Sequence, residues 1–123
     1  MPRILIIEDN RVLREITKAI LQKAGFEVIE ASDGETGLEM AISQKPDVVL
    51  VDVLLPGTMD GLDVCSGIRG NPATLATPII VTSCLTQQTD VAAAKLFGAD
   101  AYLTKPIEKD VLLERIQGLL VTS

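Results

Sequence analysis

Three acidic positions, one lysine and a pair of hydroxyls stand out because each directly follows, or lies at the end of, a short apolar run. Glu8 and Asp9 follow Ile4-Leu5-Ile6-Ile7, Asp52 follows Val48-Val49-Leu50-Val51, Thr82 and Ser83 follow Ile79-Ile80-Val81, and Lys105 follows Tyr102-Leu103-Thr104. Carboxylates drawn together repel one another, and burial raises their pKa further unless a cation intervenes. With oxygen ligands only, the suited ions are Mg²⁺ and, secondarily, Mn²⁺. A lysine facing the same point adds a second positive charge, so metal and ammonium together can neutralise a transferring phosphoryl group while a carboxylate attacks in line. Each residue also has an ordinary reading: Asp9 or Asn10 as a helix N-cap, Ser83 as a strand-end hydroxyl, Lys105 as a surface lysine. Asp52 is the hardest to dismiss, because a carboxylate abutting four apolar strand residues is costly unless it is paired.

The elements that must position these groups follow from hydrophobic periodicity. Runs at residues 3–8, 47–52 and 78–83 are continuous and largely β-branched, as expected of strands buried on both faces. Residues 27–31 and 101–104 are shorter and more polar, which suits sheet edges. Helical spacing is predicted between them. Val12, Leu13, Ile16, Ile20 and Ala24 form one apolar stripe ending at Gly25, and a second helix runs from Asp33 to Gln44 with Leu38, Ala41 and Ile42 inward. A third runs from Gly61 to Arg69 with Leu62, Cys65 and Ile68 inward, and a fourth runs from Gln88 to Phe97 and stops at Gly98. The last covers Glu108 to Leu120, burying Val111, Leu112, Ile116, Leu119 and Leu120. Alternation of this kind predicts an α/β fold, a (βα)5 open parallel sheet with helices on both faces, occupying residues 1–123 as one domain. In such sheets the ligand site lies at the carboxyl ends of the strands, where the chemical residues stand.

Composition narrows the chemistry. The chain has 123 residues, 11 Lys+Arg, 17 Asp+Glu and no histidine, giving a net charge of −6. Lack of histidine removes Ser-His-Asp and Cys-His nucleophiles and histidine metal ligands. An acidic chain with 2% aromatics (Phe26, Phe97, Tyr102) offers no basic, aromatic face for nucleic acid. Cys65 and Cys84 form no CxxC motif, which predicts a reduced, cytoplasmic chain. No apolar run approaches the ~20 residues of a membrane helix. Met1-Pro2-Arg3 leads directly into a strand-like run, unlike a signal peptide. These bounds suit a stand-alone protein and a domain of a larger one equally.

Taken in order, Glu8-Asp9, Asp52 with Leu54-Leu55-Pro56 and Met59-Asp60-Gly61, Pro78 to Ser83, and Tyr102-Leu103-Thr104-Lys105-Pro106 resemble the receiver domain of two-component response regulators, including the single-domain chemotaxis regulator. The resemblance spans the whole chain and implies a flavodoxin-like sheet with strand order 2-1-3-4-5. It implies that Asp52 is the phosphoacceptor. It also implies that Asp9, Glu8 (mainly through water), Asp52 and the backbone carbonyl of Leu54 serve the metal, and that Ser83 and Lys105 contact the phosphoryl group. Tyr102 would be the switch aromatic, and the Lys105–Pro106 bond cis. Ser83 is preferred to Thr82 because it lies five residues after Pro78 and 22 before Lys105, the family spacing. The implied partners are a sensor histidine kinase or histidine phosphotransfer protein and a downstream protein contacting helix four, strand five and helix five; neither nucleic acid nor membrane is expected to bind directly.

Three departures from the family pattern concern the surroundings of the site. The loop Pro56 to Asp60 is one residue longer than in the plain chemotaxis regulator, Cys84 replaces the usual Ala or Gly, and Leu54 and Leu85 make both flanking positions apolar. The rival readings fit less well. A Mg²⁺-dependent phosphatase of haloacid dehalogenase type wants DxD after its first strand and a cap domain. A flavodoxin-like electron carrier wants a Ser/Thr-rich phosphate loop and aromatics around its ring. A degenerate receiver used only for docking would lack one of the reactive groups.

Overall fold

The computed structural model describes residues 1–84 and 87–122. Strands β1 (Arg3–Ile7), β2 (Glu27–Ala31), β3 (Val48–Asp52), β4 (Ile79–Ser83) and β5 (Ala101–Thr104) alternate with helices α1 (Arg11–Lys23), α2 (Gly34–Gln44), α3 (Gly61–Arg69), α4 (Gln88–Leu96) and α5 (Lys109–Thr122). The sheet is parallel with order β2-β1-β3-β4-β5, as the resemblance implied. The polar runs β2 and β5 stand at its edges, and the continuous apolar runs occupy its centre.

Period-two alternation divides the core into two layers. Leu5, Ile7, Val49, Val51, Ile79 and Val81 face Ala41 of α2, Val64, Cys65 and Ile68 of α3, and Ala94 of α4. Ile4, Ile6, Val48, Leu50 and Ile80 face the other way, onto Leu21 of α1 and Leu112 and Ile116 of α5. Local chemistry sets the helix ends. Asn10, Asp33 and Asp60 accept backbone N–H bonds at the starts of α1, α2 and α3. Gly25 and Gly98 take positive φ just past α1 and α4, where a side chain would be strained.

The stripe of α1 is only partly covered, and α5 is turned slightly from expectation. Val12 (67% exposed), Ile16 (53%) and Leu13 (38%) lie in the apolar stripe of α1, yet only Leu21 of that helix is fully buried. A helix returning antiparallel to the strands starts near their carboxyl ends. The first turns of α1 therefore border the rim of the sheet, and only its later turns lie on the core. Val111 of α5 is likewise half-exposed, while Leu113 packs against the core in addition to the expected Leu112, Ile116, Leu119 and Leu120.

Candidate functional site

Register brings the chemical residues together. Ile7 pairs with both Ala31 and Val51, so the chain leaves β1 beside the end of β3. Asp52 lies opposite Thr82, and Ser83 opposite Thr104. The ladder continues one step past the strands through Glu8 N–H to the Ala31 carbonyl, Val53 N–H to that of Thr82, and Lys105 N–H to that of Ser83. Glu8, Asp52 and Lys105 are thus anchored by backbone bonds at one rim.

Their side chains meet there. Lys105 Nζ donates to Glu8 Oε1 at 2.6 Å and to Asp52 Oδ2 at 2.9 Å. Oxygens of Glu8, Asp9 and Asp52 all lie within 4.8 Å of one another, with Glu8 and Asp52 buried and Asp9 exposed. This donor set fits a hard divalent cation: three carboxylates, no sulfur or nitrogen ligand, and an open side at Asp9 where water could complete the shell. Asn10 performs the capping of α1 through Leu13 N–H, so the ordinary role considered for Asp9 belongs to its neighbour. Asn10 N–H also donates to Glu8 Oε2, at 3.2 Å.

Burial raises the pKa of Glu8, opposed by hydrogen bonds from Lys105 and Asn10, and the Asp52 charge raises it further. For Lys105, burial acts downward, but its hydrogen bonds and charge attraction with Glu8 and Asp52 outweigh it and the pKa is raised. The ammonium therefore stays charged at neutral pH, held between two carboxylates.

The remaining candidates frame this cluster. Leu54 N–H donates to Asp52 Oδ1 at 3.2 Å, wrapping the β3–α3 loop around the carboxylate, while the Leu54 side chain is 58% exposed. Ser83 is fully buried and shares a sheet face with Tyr102, which is partly buried against the core. Thr82 is on the opposite face, with its hydroxyl 3.5 Å from the Val51 carbonyl. Cys84 is exposed, and Leu85 is outside the described residues. The Lys105–Pro106 bond is cis.

Two contributors escaped the sequence reading. Gly61 starts α3 so close to β3 that an added Cβ would strike the Asp52 carbonyl and lie 2.7 Å from Val53 Cα. Asp60-Gly61 belongs to the motif, but the motif does not reveal this backbone approach. Arg14 reaches the Glu8 carbonyl from α1, and no spacing pattern marks it.

Residues 4–117 match the model of the response regulator receiver domain, and the chain belongs to that family. It is 37% identical over 120 residues to Protein PilH of Pseudomonas aeruginosa, covering 98% of each chain. It is equally 37% identical to the DNA-binding dual master transcriptional regulator RpaA of Synechocystis, covering 98% of this chain and 49% of that protein. Thus the chain spans about half the length of several curated relatives and nearly all of another. Its structure superposes on Vibrio cholerae chemotaxis protein CheY4 with a TM-score of 0.91 at 31% identity, covering 98% of this chain and 99% of that one. It also superposes on the receiver domain of the Pseudomonas aeruginosa sensor histidine kinase PA1611, a structure with a magnesium ion coordinated in its active site cleft (TM-score 0.90, 29% identity, 98% of both chains). The chain is a receiver module of two-component signalling, and its acidic cluster fits the metal-binding phosphoacceptor site of that family. The phosphatase alternative finds no support in these relationships.

Proposed function

We propose that residues 1–123 form one receiver domain in which Asp52 accepts a phosphoryl group from a phosphohistidine on a sensor kinase or histidine phosphotransfer protein. An Asp52 carboxylate oxygen attacks phosphorus, the phosphorus–nitrogen bond breaks, and the imidazole leaves with the bonding pair. The observation that carries this reading is the 2.9 Å approach of Lys105 Nζ to Asp52 Oδ2 inside the acidic cluster. Lys105 can follow the developing charge onto the phosphoryl oxygens, and Ser83 stands at the adjacent strand end as a hydroxyl donor. Glu8, Asp9, Asp52 and the Leu54 carbonyl would hold Mg²⁺, or Mn²⁺ in its place. Once bound, the ion supplies the further positive charge that phosphoryl transfer requires.

An apolar groove beside Glu8 and Lys105, lined by Leu13, Ile16, Ile20 and Ile107, offers a histidine-bearing partner a surface to rest on. The module is read as a switch that takes part in its own phosphorylation and slow dephosphorylation, and not as an enzyme with a separate substrate. Ser83 and Tyr102, on one sheet face, would pass the change to the surface of α4, β5 and α5, where a downstream protein binds. The event is a shift between two conformers. A cytoplasmic setting is part of this proposal: it is supported by the unpaired Cys65 and Cys84 and by the phosphohistidine donor it assumes.

Incubation with Mg²⁺ and acetyl phosphate should add one phosphoryl group by intact mass. Asp52→Asn, or chelation of the metal, should abolish the gain. Undiminished labelling of Asp52→Asn would overturn the assignment.

A further inference from the structure

Arg14 lies in the first turn of α1 with its side chain 17% exposed, low for an arginine on a helix whose neighbouring residues face solvent. Its Nη1 donates to the Glu8 backbone carbonyl at 2.8 Å and its Nε to Glu30 Oε1 at 3.2 Å. Glu30 Oε2 in turn accepts from Lys18 Nζ at 3.0 Å. Glu30 belongs to β2, paired with Ile6 of β1, so its position is set by the sheet. One guanidinium therefore ties α1, the edge strand and the peptide joining Glu8 to Asp9.

We propose that Arg14 is a positioning residue that orients the Glu8–Asp9 peptide, and through it the Asp9 carboxylate, for cation binding. The inference rests on reading Glu8, Asp9 and Asp52 as the cation site. The peptide is planar, so anchoring its carbonyl also sets the direction of the Asp9 N–H and the start of the Asp9 side chain. Asp9 is the exposed member of the cluster, beyond the last ladder bond, and gains most from such a hold. The action is geometric: Arg14 grips a backbone carbonyl and not the Asp9 carboxylate, and its own charge is shared with Lys18 on Glu30. A guanidinium suits the task because its planar fork addresses two fixed acceptors at once, which an ammonium does less well.

The test measures Mn²⁺ binding directly, from the free-ion EPR signal, in the wild type, Arg14→Ala, Arg14→Lys and Glu30→Ala, with folding followed by circular dichroism and urea midpoints. Arg14→Ala should weaken Mn²⁺ about tenfold, the usual lower bound for losing a group that orients a metal ligand. Arg14→Lys and Glu30→Ala should weaken it less. The Mg²⁺ concentration for half-maximal phosphorylation should rise in parallel, with the maximal rate kept. A purely structural role would lower the urea midpoint and leave Mn²⁺ affinity unchanged; that result overturns the inference. If Arg14→Ala does not fold, Arg14→Lys with wild-type affinity overturns it instead. If Asp52→Asn leaves both Mn²⁺ binding and phosphorylation intact, the site reading itself fails, and the Arg14 inference falls with it.

Discussion

Lys105 and Asp52, 53 residues apart in sequence, meet at 2.9 Å because β3 and β5 end on either side of β4 at the same rim of the sheet. The same ammonium reaches Glu8, so one cation is shared by two buried carboxylates, and Asp9 brings a third acidic group to the exposed side. The cluster thus carries excess negative charge at the point where the family binds a metal.

That excess gives a pH dependence through Glu8. Its folded pKa is raised above the ordinary 4.5, chiefly by burial. The stability it contributes is therefore complete below the unfolded value and declines as pH rises through the folded one. Glu8→Gln removes this decline. The stability of the variant relative to the wild type should increase from pH 4 upward and level off above the folded pKa. Urea midpoints measured at intervals from pH 4 to 7 check this, and a flat difference would refute it. Added Mg²⁺ should stabilise the wild type more than the variant at neutral pH.

Gly61 presses against the backbone of the phosphoacceptor strand. Gly61→Ala inserts a methyl group between α3 and Asp52, where the opposing atoms are backbone and yield little. The expected loss is about 1–3 kcal/mol, as for overpacking generally. Phosphorylation should slow as well, because the displaced atoms carry the Asp52 side chain. Urea denaturation and intact-mass kinetics measure the two effects.

The two cysteines should react differently. Burial pushes the Cys65 thiol up to about 12, and its side chain lies in the core, whereas Cys84 is exposed. Thiolate is the reactive form, so at pH 8 iodoacetamide should label native protein once, at Cys84, and twice after unfolding in urea. Peptide mapping decides the site. Labelling of Cys65 in the native state would contradict the packing described.

The lifetime of the phosphorylated state tests the flanking positions. Hydrolysis needs a water in line behind phosphorus. Leu54 stands in the loop whose N–H binds Asp52, but its side chain cannot hydrogen-bond such a water. Leu54→Asn should hasten loss of phosphate several-fold, and Cys84→Ala should do so by opening space. The time course of intact mass after removal of the donor gives the rates. Equal lifetimes in all three proteins would show that neither side chain controls water access.

The amino-acid sequence by itself determined the elements and the inventory of reactive groups. Continuous β-branched runs, helical apolar periodicity and glycine stops are local signals, and they placed five strands and five helices with ends differing by one or two residues. Asp52 was legible because it follows an apolar run, where a charge is costly without a purpose, and Glu8, Asp9 and Lys105 because they fall at the carboxyl ends of strands of the same sheet. Which face of α1 is buried was not legible. The stripe from Val12 to Ala24 has one period throughout, but how far the helix overhangs the sheet depends on the crossover and on the length of β1. Gly61 against Asp52 and Arg14 on the Glu8 carbonyl were hidden for a related reason. Both are contacts with backbone atoms, which every residue carries alike, so no side-chain pattern encodes them. Only the packing of α3 and α1 against the finished sheet decides which carbonyl each one meets.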